Sequence, residues 1–442
     1  MRRRMRCGLP VILAVVVGAG IAHAAIIVID EALFAHIESI RVVDDQIHPQ
    51  LTGTTPDTEW HPLYQQETLV ETLHAPLPSR LRPGTPEAVR AWRELWGYGH
   101  SDLAADHARE GVEAKQAAKR TRGEAYPAWV LDKAGIELAL ANRARLGPGI
   151  AAPRFRWVAF ADSLLFPLGT GKGTPSSVEQ RVYLEAVRRF SPMQGKPAGT
   201  LPQYLEEIVS PALSRMKEEG AVAIKLEGLP LRRPGQRALE EFEARAIYAK
   251  YAWGGDLPSN EYEDLRTFIV RYVALEASKL GMVVQLHTGT GLGATLGLRG
   301  GQPSDLGWLL DDTQVGWTNF VLVQGGWPFT AEVAALLAKP NVYADISAQS
   351  YALSPPALAA SIRPWLELYP EKVLFGSGAL PLTNELGWEE LAWLSVSNAR
   401  RALAIALADM IEEKVVSRER AYAIARMVLH DNAVALYKLG GP

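Results

Sequence analysis

The sequence predicts a (β/α)8 TIM barrel of the α/β class, with a helical insertion after strand one. Three observations carry this. Short apolar, β-branched runs recur along the chain. Helical periodicity fills the stretches between them. Polar, ionisable or glycine residues stand where the runs end. The eight runs are Ile40 to Asp44, Gly135 to Leu140, Phe155 to Phe160, Val222 to Lys225, Met282 to His287, Asn319 to Val323, Val342 to Asp345 and Val373 to Phe375. A doubly wound sheet is the main competitor; eight strands with chemistry at so many of their ends favour the barrel.

The chain opens on an address. Arg2, Arg3, Arg4 and Arg6 form a basic region, and an apolar run follows from Leu9 to Ala22. Ala22-His23-Ala24 then offers a small-x-small cleavage site before Ala25. The run holds 14 residues, short of the roughly 20 that span a bilayer. A signal peptide over residues 1–24 is therefore expected, with export to the periplasm or beyond and no membrane span after cleavage. An uncleaved anchor, lengthened by Ala25 to Ile29, is the weaker reading. Cys7 is the one cysteine; it precedes the apolar run, the wrong side for a lipid anchor, and leaves with the signal. A cysteine-free mature chain suits an oxidising compartment and excludes a disulfide framework, a cysteine-based zinc site and an iron–sulfur cluster.

After strand one the alternation breaks. Residues from about 52 to 127 are polar and helical, over Pro86 to Trp96 and Asp102 to Lys119, and are expected to insert over the barrel mouth, with a lid and a dimer surface both open as roles. The segment carries His61, His74, His100 and His107 of the nine histidines, of which one is a candidate to enter the site. Helical periodicity resumes over Leu201 to Gly220, Glu261 to Leu280, Thr330 to Ala338 and Pro355 to Tyr369. Two long helices near Gly387 to Glu412 and Ser417 to Leu439 close the chain.

Over 442 residues, 48% are hydrophobic and 21% charged, which is a globular composition with a large core. The net charge is −3, moving to −7 once four signal arginines leave, and nucleic acid is excluded as a partner. A small-molecule substrate or ligand is the expected partner.

In a barrel the C-terminal strand ends carry the chemistry. Here strand one runs into Asp44-Asp45-Gln46-Ile47-His48-Pro49 and strand three into Asp162. Strand four ends at Lys225-Leu226-Glu227, strand five at His287 and strand six at Gln324-Gly325-Gly326. Strand seven ends at Asp345 and strand eight at Gly376-Ser377-Gly378. Converging charges exceed what packing requires, because a buried charge is costly unless paired or used.

At these residues the chain resembles the amidohydrolase superfamily, in its amidohydrolase-related branch. The resemblance covers most of residues 38–440. It rests on "VVDDQIHP", "YPAWVLDKAGIELALANR", "FRWVAFADSLLFPL", "VAIKLEG", "VVQLHTG", "NFVLVQGGWP", "NVYADIS", "VLFGSGA" and the terminal "LHDNAVALYKL", each in order at the expected strand. It implies hydrolysis of amide- or ester-like bonds, or decarboxylation of aromatic acids, and barrels that often pair as homodimers. It also implies one or two divalent metals. Their ligands are a His-x-His pair on strand one, a lysine or glutamate on strand four, single histidines on strands five and six and an aspartate on strand eight.

Three of those positions differ here. Gln46 stands for the first histidine, Gln324 for the strand-six histidine and Gly378 for the strand-eight aspartate. A glutamine offers a neutral amide oxygen, a poor ligand for a zinc-type ion, and glycine cannot act as a base. His48, Lys225 and His287 remain, with Glu227 close by. The residues therefore predict no resident cofactor, with His48 and His287 as acid and base held by the glutamine amides. Lys225 is expected as a desolvated amine nucleophile or a cation for a substrate carboxylate, and Asp162, Glu227 and Asp345 as further acid–base groups. Asp162 and Asp345 read equally well as structural partners, and Gln46 and Gln324 as a pair bonded to each other across the vacated site.

The expected function is hydrolysis or decarboxylation of a small organic amide, ester or acid without the binuclear metal centre. Two readings stay open beside it. One is a non-catalytic ligand-binding or assembly protein that keeps the fold. The other is a hydrolase with a single weakly held zinc-type ion on His48 and His287. Gly289 to Ala294 fits G-x-G-x-x-A but lacks a strand with a terminal acid about 20 residues on, so it reads as a loop at the mouth. Trp92, Trp96 and Tyr98 read as core of the insertion.

Overall fold

A computed structural model describes residues 30–52, 77–82, 84–168, 198–229, 239–253, 258–289 and 302–440. Eight parallel strands follow one another around a barrel in sequence order. They are β1 Val42–Ile47, β2 Ile136–Arg143, β3 Phe155–Phe160, β4 Ala221–Leu226, β5 Val283–His287, β6 Phe320–Val323, β7 Val342–Asp345 and β8 Val373–Leu374. β8 is short, and the barrel closes through the residues beyond it. Asp45 donates its N–H to Phe375, Gly378 to Gln46 and His48 to Ala379, at 3.0, 2.8 and 2.7 Å.

The strands are apolar because both faces are covered, as parallel sheets require. Inside, Val43, Leu140, Val158, Ala223, Val283, Val321 and Leu374 form a layer closed from below by Ala433, Leu436 and Tyr437 of the last helix, Asn432–Tyr437. One step further along each strand the alternation of side chains aims the next residues into the same interior. Those residues are Asp45, Asn142, Phe160, Lys225, Gln285 and Asp345, all buried. The apolar strand pattern thus builds the floor, and a polar layer sits on it.

Between β1 and β2 the described residues include helices Pro86–Trp96, Ala105–Arg122 and Tyr126–Ala134. The first is punctuated in its sequence: the Thr85 hydroxyl caps the Ala88 N–H, Pro86 opens the helix, and Gly97 closes it at φ 69. Trp92 is buried with Val89 and Tyr98, and its indole donates to the Glu385 carbonyl at 2.8 Å. These helices are fastened to the long helix Trp388–Glu412. Lys115 reaches Glu389 and Glu390 at 3.0 and 2.8 Å, Lys119 reaches Glu389 at 3.0 Å, and the Tyr126 hydroxyl and Trp96 indole donate to Glu389 and Glu390 at 2.9 and 2.8 Å. His100 and His107 stack on each other and pair with Glu110 and Asp102, partly exposed, so their imidazoles are used within the segment itself. His61, His74 and residues 290–301 of the glycine-rich loop lie outside the described residues. No helix among the described residues is long and apolar enough to cross a membrane.

Candidate active site

The polar layer converges on Glu227, just past the end of β4. Its Oε1 lies 2.9 Å from the Lys225 ammonium and 3.9 Å from Nδ1 of His287 on β5. Lys225 is 1% exposed, whereas the Glu227 and His287 side chains are each 12% exposed, so the carboxylate and imidazole face the mouth and the lysine lies beneath them. The Lys225 ammonium also stands 5.7 Å from the Phe160 ring centre. Asp162, after β3, fixes the turn that carries Glu227: its Oδ1 accepts the N–H groups of Glu227 and Gly228 at 2.7 and 2.6 Å.

His48, just past β1, stacks on the same Phe160 ring at 6.1 Å between ring centres. Its Nδ1 lies 3.1 Å from the Asn142 carbonyl and its Nε2 lies 2.7 Å from the Gln46 amide nitrogen. A carbonyl only accepts and an amide nitrogen only donates, so the ring is the neutral Nδ1–H tautomer with its Nε2 lone pair capped by Gln46. Gln46 is therefore bonded to His48 and not to Gln324. At Gln324 it is the backbone that is tied down: the N–H donates to Asp345 Oδ1 at 2.7 Å and to Ser347 Oγ at 3.0 Å, and the carbonyl accepts from Gln349 at 2.9 Å.

Three carboxyls lie fully buried around the end of β8. Asp44 Oδ1 accepts from the Ser377 and Gln46 N–H groups at 2.8 and 3.2 Å. Asp345 Oδ1 takes the Ser347 hydroxyl and N–H besides that of Gln324. Asp45 accepts from the Tyr437 hydroxyl at 3.2 Å, which itself accepts from Gln285 at 2.9 Å. Asp45 Oδ1 and Asp345 Oδ2 approach each other over Gly376, where a Cβ would stand only 2.7 and 3.0 Å from them. Burial raises Asp44 to about 7 and Asp345 to about 6, and burial together with the charges of Asp345 and Asp44 holds Asp45 well above the usual carboxylate range.

The donor set does not match the metals that the family resemblance implies. Among the described residues no three His, Cys, Asp or Glu side chains come together to hold a metal ion. The Nε2 lone pair of His48 meets an N–H donor, and the Glu227 oxygen nearest His287 is taken by an ammonium. A carboxylate that already neutralises a lysine and an imidazole that already accepts a hydrogen bond are both poor ligands until those partners leave.

The family model described as Amidohydrolase matches residues 173–439, more than half of the chain. The chain belongs to the amidohydrolase family. Among solved structures, this amidohydrolase is similar to a uronate isomerase from Thermotoga maritima, at 15% identity and a TM-score of 0.61 over 92% of this chain and 96% of that one. It is similar to a glucuronate isomerase from Caulobacter crescentus at the same identity and score, over 93% and 94%. At such identity the likeness is one of fold. No curated protein matches the sequence.

Sequence reasoning placed Lys225, Glu227, His287 and Asp162 at neighbouring strand ends, and the amidohydrolase fold brings them together. It left out Asp45, Asn142, Gln285 and Tyr437. The signal was present: counting in twos from Val43, Leu140 and Val283 puts the first three on the inward face.

Proposed function

We propose that this amidohydrolase acts on a small organic amide, ester or acid with its own side chains, His287 serving as the acid–base group, without the family's binuclear metal centre. The observation that carries the reading is the Glu227 oxygen standing between the Lys225 ammonium and the His287 ring. A carboxylate beside Nδ1 favours the tautomer that turns the Nε2 lone pair the other way, and it stabilises the imidazolium formed when that nitrogen takes a proton. The 3.9 Å separation is of the loose kind that tightens once substrate is bound. In hydrolysis, His287 Nε2 removes a proton from water as the oxygen adds to the carbonyl carbon. The same proton then passes to the departing nitrogen or oxygen as that bond breaks. Lys225 balances the Glu227 charge, Asp162 holds the turn, and His48 is a positioning group.

His287→Ala is expected to lower turnover of an amide, ester and carboxylic-acid panel by about 10²–10⁴-fold, while a chelator leaves the wild-type rate unchanged. Activity that survives His287→Ala, or vanishes with chelator, contradicts the reading. A second reading, a ligand-binding protein, is favoured by one observation: His48, Asp162 and Asp345 all hold neighbouring groups, as core residues do. Any panel turnover by the pure protein removes it. The reading includes export, so the mature chain recovered from the periplasm should begin at Ala25.

A further inference from the structure

We propose that the amidohydrolase metal position is shut by backbone as well as by side chains, with Gln46, Gly378 and Ala348 forming a plug. The inference rests on the metal-free reading and deepens it: it makes the three altered family positions one rearrangement instead of three separate losses.

Gly378 has φ +64, and a Cβ there would stand 2.7 Å from the Ala348 nitrogen, 3.2 Å from Gln46 Oε1 and 3.3 Å from Ser347 Cβ. The first of these is backbone, which cannot swing aside as a side-chain tip can. Ala348 is itself held at φ 57, a conformation that non-glycine residues rarely adopt. Its neighbours anchor it. Ser347 is bonded to Asp345 through hydroxyl and N–H at 2.7 and 3.0 Å, and the Ser350 hydroxyl donates to the carbonyls of Gly376 and Ser377 at 3.3 and 3.2 Å. The same Asp345 oxygen holds the N–H of Gln324, whose φ is 66. The segment after β7 thus occupies the space into which a strand-eight carboxylate would project, and it fixes the strand-six position in a left-handed turn. From the other side Gln46 caps the His48 lone pair at 2.7 Å, the electron pair a metal would take. Putting the family's side chains back does not reopen the site, because backbone already fills the space beside Gly378.

The test uses the full-length protein and zinc ion alone, read by calorimetric titration and by thermal unfolding. It compares wild type, Gln46→His, Gly378→Ala and Gln46→His/Gly378→Asp, with Gly97→Ala as control. Gly97 has a nearly equal φ of +69 but nothing within 4 Å of its Cβ position, so it reports the backbone cost without the clash. The expected result is no saturable zinc uptake by any variant, and a fall in Tm for Gly378→Ala at least about 2–4 °C larger than for Gly97→Ala. If the double variant does not fold, Gln46→His carries the metal arm and Gly378→Ala the backbone arm. Uptake of about one zinc by Gln46→His or by the folded double variant overturns the plug, and so does equal loss of Tm in the two alanine variants. Zinc uptake by the wild type instead overturns the metal-free reading, so the two failures are distinct.

Discussion

The molecule buries charge in two places, and the two solve the problem in opposite ways. Where the β1–β2 helices meet the helix Trp388–Glu412, two lysines face two glutamates, with Tyr126 and Trp96 donating to the same carboxylates. Burial raises Glu390 despite Lys115, yet at Glu389 Lys115 and Lys119 more than reverse the effect of burial and hold it at about 2. In the barrel interior Asp44, Asp45 and Asp345 are buried together, and Lys225, whose charge acts on Asp345, is already paired with Glu227. There burial wins, and all three carboxyls are pushed up. A balanced cluster is what an attachment needs. An acid-rich one near a site mouth holds protons near neutral pH, which an attachment has no use for.

Breaking the balanced cluster should have the largest effect on stability. Lys115→Met leaves Glu389 and Glu390 buried with half their countercharge removed, and is expected to destabilise the fold by about 3–5 kcal/mol, measured by denaturant unfolding. Trp96→Phe keeps the ring packing and removes only the indole N–H to Glu390, for a loss of about 1.5–3 kcal/mol.

The sharpest contrast is in pH. Glu389 has a folded value of about 2 against an ordinary 4.5, so its stabilisation is present above 4.5 and is lost as pH falls from there toward 2. Asp44 has a folded value of about 7 against 3.8. The native state therefore binds its proton more tightly, and stability falls as pH rises between those values. Asp44→Asn should reduce the neutral-side slope, to which Asp345 and Asp45 also contribute, and leave the acid-side loss, whereas Lys115→Met should weaken the acid-side loss alone. Unfolding free energies measured between pH 3 and 8 check both; matching slopes in wild type and Asp44→Asn would remove the contrast.

Much of the fold could be read from the sequence because the strands are apolar runs ended by polar or glycine residues. β3 and β7 have the bounds their composition predicts. β2 runs on past Leu140 to Arg143, because Asn142 points into the barrel, where a polar residue is admitted by its neighbours rather than by its type. The same blindness hid the site's floor. Counting in twos from Val43 turns Asp45 inward, but the register shift between Asp44 and Ile47 breaks the count before His48. The sequence allows Gln46 either to hold a histidine or to pair with Gln324, and the structure takes the first; the left-handed turn at Gln324 is likewise not announced by composition. Lys225 to Glu227 was legible because the two stand two residues apart at one strand end.

The measurement that bears most directly on a site run by side chains is the metal content of the full-length protein, purified without chelator or affinity tag and measured by elemental analysis. The account predicts background levels of zinc, manganese and iron. About one equivalent of any of them per chain would contradict it and return the metal to the centre of the chemistry.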